Sequence, residues 1–193
     1  MRTLAFLTVV ALGACGANSA EIQKSKSVAY NTEFGTVWTA AFDEVAMRYD
    51  GKILKATPKD GWILSSWKLV EANRDNAVGT SRSKAEDVTT GGGTFFRHAV
   101  RITGVSGGPP WRVEVDGQAA LYSPGNAILT PFPHGTPDEP GWVPGRIDDL
   151  GAAIYKRLQQ YAVAAPLLES GTAMKALPNN ELPGGMPMSN VPN

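Results

Sequence analysis

From Phe34 onward the apolar residues fall at Phe34, Val37, Trp38, Ala41, Phe42, Val45 and Ala46. That spacing predicts a helix with one broad apolar stripe. Thr36, Thr39, Asp43, Glu44 and Arg48 lie mostly off the stripe. Asn31 or Thr32 offers an N-cap side chain, Glu33 puts negative charge in the first turn, and Asp50-Gly51 supplies a left-handed stop. Ser27 to Tyr30, ahead of the helix, reads as a short first strand. After Gly51 two β-rich runs, Lys52–Thr57 and Trp62–Val70, flank Pro58-Lys59-Asp60-Gly61, a run of turn-forming residues, and read as a hairpin.

The clearest alternation lies in Thr94–Val105 and Trp111–Tyr122, joined by Ser106-Gly107-Gly108-Pro109-Pro110. Phe96, Val100 and Ile102 share one face of the first strand, and Trp111, Val113, Val115, Ala119 and Leu121 share one face of the second. Like faces must coincide, so even positions of one strand pair with odd positions of the other. This sets Arg97 and Arg101 opposite Glu114 or Asp116, or their diagonal neighbours, on a solvent face, with the sheet covered on one side only. A second helix begins at about Arg146. Ile147, Leu150, Ile154, Leu158 and Tyr161 keep its period, Asp148 and Asp149 fall in its first turn, and Lys156 and Arg157 lie nearer its end, as the helix dipole prefers. Together these elements predict an α+β domain of two layers: an antiparallel sheet of four to five strands with two amphipathic helices packed on one face. The domain spans residues 27–165, with long loops at 71–93 and 123–144, and a Pro, Asn and Gly-rich tail at 166–193 reads as disordered.

The segment before the domain has another character. Arg2 precedes the apolar run Leu4 to Leu12, which is too short to cross a bilayer as a helix, since that takes about 20 residues. The run fits the h-region of a secretory signal, with a basic residue before it and small residues after it. It ends in Leu12-Gly13-Ala14-Cys15, which resembles the signal of bacterial lipoproteins: a leucine, two small residues, then cysteine. The resemblance implies cleavage between Ala14 and Cys15, a diacylglycerol on the Cys15 thiol and acylation of the new amine. Residues 1–14 are then the signal peptide and 15–26 a lipidated cysteine with a flexible tether. An ordinary signal cleaved after Ala20 is the alternative. Burial of acyl chains contributes about 0.8 kcal/mol per CH₂, and two or more chains anchor a protein stably. The resemblance thus implies a membrane partner through the lipid on Cys15, in the bacterial envelope facing the periplasm. Gly16, where an acidic inner-membrane retention signal would stand, favours the outer membrane.

The stretch Phe34 to Trp67 is similar to the helix-grip domains of outer-membrane-assembly lipoproteins. Val37-Trp38 opens the helix, Lys59-Asp60-Gly61 makes the turn, and Ile63-Leu64-Ser65-Ser66-Trp67 is the strand. The insert Glu71–Gly93 and the Pro-rich loop depart from that pattern.

Composition narrows the function. The 193 residues carry 18 basic and 18 acidic side chains, and loss of Arg2 with the signal would leave the rest at −1. A near-neutral chain with no basic stripe argues against nucleic acid as a partner. Cys15 is the single cysteine, so no intrachain disulfide forms. Gly91-Gly92-Gly93 lacks the Lys-Ser/Thr of a phosphate loop and leads into a strand. His98, on the face of Phe96 and Val100, reads as a core histidine. His134 with Asp138 and Glu139 falls short of the three or four braced ligands zinc takes, so no metal and no cofactor are expected. No serine sits in a Gly-x-Ser-x-Gly elbow. The adjacent acids Glu86-Asp87 and Asp148-Asp149 suit solvation and capping. The expectation is a non-catalytic envelope lipoprotein that offers a surface to a protein partner. The alternative is a module binding a small apolar ligand beneath the 123–144 loop, and Trp62, Phe132 and Trp142 are the candidate residues for either surface.

Overall fold

The computed structural model describes residues 18–72, 92–105, 107–123 and 129–165. Ala14, Cys15, most of the 71–93 connection and the 166–193 tail lie outside the described residues. The chain is α+β, with one antiparallel sheet. In order the elements are α1 (Ser19–Ser27), β1 (Val28–Tyr30), α2 (Phe34–Arg48), β2 (Ile53–Thr57), β3 (Trp62–Ser65), β4 (Lys68–Ala72), β5 (Gly93–Val105), β6 (Gly108–Tyr122), β7 (Thr130–Pro131), α3 (Val143–Leu158) and β8 (Ala162–Ala164). Among the described residues the sheet therefore has eight strands against the four to five expected, and there are three α-helices against two.

The excess comes from short strands recruited by one long hairpin. β5 and β6 pair from Gly93↔Tyr122 through Phe96↔Ala119, Val100↔Val115 and Ile102↔Val113, so even positions do meet odd ones. The free edge of β5 is shared: β3 takes Ala99 to Arg101 and β4 takes Gly93 to Phe96. The expected single strand Trp62–Val70 breaks at Ser66-Trp67, and the Ser65 hydroxyl fills the gap by accepting the His98 backbone N–H at 2.9 Å. The free edge of β6 is shared in the same way, by β1 at Trp111 and by β7 at Ala120 and Leu121. β1 stands where Ser27 to Tyr30 reads as a strand, but β7 and β8, of two and three residues, carry too little periodicity to be read from sequence. They exist because the hairpin, and β1 joined to it, present a finished template of N–H and C=O groups beside them.

On the helix-bearing face Val37, Ala41 and Val45 of α2 and Leu150, Ile154 and Leu158 of α3 form one core with Ile63, Val100, Ile102 and Tyr30. Arg157 ties the two helices together by donating to Glu44 and, at 3.4 Å, to Asp43. Asp50 and Gly51 stop α2 with φ of 52° and 76°. Its N-cap is Glu33, with no side-chain bond. Asn31 instead donates its N–H to the Tyr161 carbonyl, and the Thr32 carbonyl accepts from the Trp111 indole at 3.0 Å.

Two boundaries differ from expectation. The flexible tether of residues 15–26 is replaced, from Ser19 on, by helix α1. Asn18 caps it, accepting the Glu21 N–H at 2.9 Å, while Glu21 returns the bond to the Asn18 N–H. α1 has no buried residue, and polar contacts dock it on α3: Lys26 Nζ lies 2.7 Å from Asp148 Oδ1, and the absence of a side chain on Gly151 leaves room for Ser25. A helix without an apolar face gives no hydrophobic period. The described body thus includes Asn18 to Lys26, ahead of residue 27. At the other end α3 starts at Val143, within the expected 123–144 loop, because Pro144 in the first turn needs no N–H partner there and Val143 is fully buried. Asp148 and Asp149 accordingly fall in its second turn.

The β5–β6 ladder makes Gly117 indispensable, since a Cβ there would run into the buried Phe96 ring and meet Ile147 Cγ1 at 3.0 Å. Gly117→Ala is expected to destabilise the fold by about 1–3 kcal/mol through overpacking. Urea denaturation of the variant, compared with wild type, measures this directly.

Candidate functional site

The three aromatic residues singled out above do not meet. Phe132 and Trp142 pack with Phe96, Ala119, Val143, Val70 and Ile147 at the end of the sheet where α3 begins. Trp142 meets the Phe96 ring edge-on, with centroids 5.5 Å apart, and the Arg146 guanidinium lies 5.1 Å from the Trp142 centroid. Trp62 pairs with Arg101, one residue out of step with Ile63, so its side chain leaves by the opposite face. Phe132 and Trp142 fill the space beneath their own loop, and Trp62 lies a sheet thickness away.

The polar centre of the body is His98. It is 3% exposed, and both ring nitrogens are engaged: Nδ1 lies 2.8 Å from Tyr49 Oη and Nε2 lies 3.0 Å from the Arg146 carbonyl oxygen. A carbonyl only accepts, so Nε2 carries the proton and the Tyr49 hydroxyl donates to Nδ1. The ring also meets Phe96 edge-on at 4.7 Å. This chain of bonds joins the end of α2, the middle of β5 and the start of α3. Burial lowers the His98 pKa to about 4 despite the bond to Arg146, and the Arg48 and Arg146 charges push the same way. Burial likewise raises the Tyr49 pKa to about 12. Both ring nitrogens of His98 and the Tyr49 hydroxyl proton are committed to these bonds. The arrangement is a structural brace.

Arg97 departs most from expectation. Its cross-strand partner is Gln118, whose Oε1 accepts from Nε at 3.1 Å and Nη2 at 2.7 Å, and Trp67 stacks on the guanidinium at 4.5 Å. It is 4% exposed, and burial lowers its pKa. The outer face is therefore covered at this end, where Phe95 and Tyr122 pack with Trp67, Leu69 and Leu129. Arg101 stands directly opposite Glu114 and Arg97 diagonal to Asp116, both within the pairing read from the sequence, but Arg97 is buried and bonds Gln118 in place of an acid. The spacing between Trp67 and Arg97 carried no signal, because the two meet only after β4 pairs with β5.

The His134 Nδ1–H donates to Glu139 Oε1 at 2.9 Å, and Glu139 Oε2 accepts the Gly135 N–H at 3.0 Å. The pair closes a local turn on the surface. Among the described residues no three His, Cys, Asp or Glu side chains converge as metal ligands.

One open groove, of about 190 Å³, runs between α1, α3 and β6, lined by Ser25, Lys26, Val113, Val115, Ile147 and Asp148 among others. It has an apolar floor and charged rims, and Ile147 of α3 both lines it and packs against the Phe132–Trp142 cluster.

The His98 brace makes a pH prediction. Its folded pKa lies below the ordinary 6.5, so the unfolded chain takes up a proton first as pH falls. The contribution is fully present above 6.5 and is lost as pH drops toward 4, removing on the order of 3 kcal/mol across that window. His98→Gln, which keeps an N–H for the Arg146 carbonyl but does not titrate, should flatten that part of the urea-midpoint profile. An equally steep loss in the variant would assign the dependence to other groups. Compared with family models, curated proteins and solved structures, the chain matches none.

Proposed function

We propose that the chain is a lipid-anchored protein of the bacterial cell envelope, held by acyl chains on Cys15 and facing the periplasm, and that it serves there as a non-catalytic surface for a protein partner. The observation that carries the reading is the run Leu4 to Leu12 ending in Leu12-Gly13-Ala14-Cys15, followed three residues later by a capped helix docked on the body. Three residues reach at most about 11 Å when extended. The anchor therefore holds the body close against the headgroups, with its orientation restricted. Gly16 favours the outer membrane. Among the described residues no helix is long and apolar enough to cross a membrane.

The same geometry supports a partner surface over a small apolar ligand. Phe132 and Trp142 are spent on the body's own packing, and the groove beside α1 is rimmed by Lys26, Asp148, Arg112 and Glu114. His98 and Tyr49 are committed to each other and to Arg146.

Cys15→Ser is expected to abolish incorporation of labelled palmitate and to move the protein from the membrane to the soluble fraction on cell fractionation. A variant that is still processed and still sediments with membranes would rule out the lipid anchor.

A further inference from the structure

α1 stands between Cys15 and the first strand of the body, and it is held differently from the chain that follows it. Its nine residues fall short of the roughly 12–15 at which a helix begins to persist alone in water. None of them is buried. Ile22, the one large apolar side chain, is half-buried and takes no part in the core that joins α2, α3 and the sheet. What holds α1 is polar: the Lys26–Asp148 pair, whose side chains are 54% and 23% exposed, and the fit of Ser25 against Gly151. An ion pair so exposed is of the weak surface kind. The groove beside α1 is open, so the helix does not seal its apolar floor. The hold changes at Ser27. The Ser27 carbonyl accepts the Ala165 N–H at 3.2 Å, Val28 to Tyr30 pair with Ala164 to Ala162, and Ala29 and Tyr30 are buried. A weakly docked helix thus meets a firmly paired strand within one residue.

We infer that α1 is a releasable spacer: docked on α3 it keeps the start of the body within about 11 Å of Cys15, and undocked it unwinds and lets out residues 16–27, about 40 Å of chain. The inference rests on the lipid anchor proposed above and gives that anchor a second, longer reach. Release breaks the ion pair, the Asn18 cap and the Ser25 contact, and it leaves every strand of the sheet paired. Local opening of this kind takes place far below the free energy of global unfolding. Because a charge pair is the strongest single contact, salt favours the released form. Asp148 is the side chain that decides docking, since it faces Lys26 from α3 at 2.7 Å.

Amide hydrogen exchange in the full chain carrying Cys15→Ser follows the release without lipid. Ile22 to Ser27 should exchange at least about a hundredfold faster than Val45, Leu150 and Ile154, and faster again by about threefold in strong salt. Lys26→Glu should speed exchange in α1 about tenfold while the urea midpoint of the body stays unchanged, and adding Asp148→Lys should reverse the gain. A lock is available. The Ser25 Cβ lies 3.9 Å from the place a Cβ on residue 151 would take, which is the spacing of a disulfide. Ser25→Cys with Gly151→Cys, once oxidised, should slow exchange in α1 at least about tenfold, and reduction should restore it. On vesicles bearing the lipidated protein, trypsin should cut after Lys24 and Lys26 and shed the body, and the oxidised lock should slow that cut by a similar factor. Protection of α1 equal to that of α3 would overturn the proposal. So would a lock that leaves exchange or cleavage unchanged, since α1 would then fray where it lies. Loss of the anchor would show in palmitate incorporation and leave the exchange assay untouched, so the spacer and the anchor fail separately.

Discussion

The constraint on which the rest of this structure depends is the register of β5 against β6. One fixed pairing puts Phe96, His98, Val100 and Ile102 on the same side as Val113, Val115, Gly117 and Ala119. A slip by one residue would turn every one of those side chains to the other face. Gly117 enforces the register sterically, because the Phe96 ring occupies the space a side chain would need. Both helices then have one surface to cover, and the short strands have two finished edges to join. The core, the sheet order and the position of α3 all follow from this pairing.

Around that frame polar groups do the joining where backbone pairing stops. The Ser65 hydroxyl bridges the break between β3 and β4, and the His98 ring ties the ends of two helices to the strand beneath them. A buried imidazole with both nitrogens bonded is neutral and satisfied, which its low pKa reflects. Arg97 is the costlier case: a buried guanidinium with a neutral amide for its partner and Nη1 left unbonded. The Trp67 face contributes cation–π attraction that offsets part of the desolvation. The body thus uses its conspicuous residues for its own cohesion.

Location and surface fit together physically. A short linker between Cys15 and α1, with α1 fastened to α3 by Lys26 and Asp148, limits how far the body can turn relative to a lipid anchor. The groove beside Lys26 is therefore held near the membrane surface in the proposed arrangement.

Much was legible in the residues themselves. The α2 stripe from Phe34 to Ala46, the turn at Asp60-Gly61, the even-to-odd pairing of the long hairpin and the period of Ile147 to Leu158 were set by local patterns of two and 3.6, which a chain displays before it folds. The two-layer α+β class follows from those faces needing one another. Tertiary structure alone decided the rest. α1 has no apolar face and exists through a cap and contacts to α3. β7 and β8 are strands because a neighbour's edge was waiting. Trp62 was separated from Phe132 and Trp142 by the register of β3 on β5, and Arg97 was brought under Trp67 by a strand break at Ser66 that no periodicity marks. Elements whose burial lies within their own sequence announce themselves. Elements stabilised by hydrogen bonds to distant partners become visible only when those partners arrive.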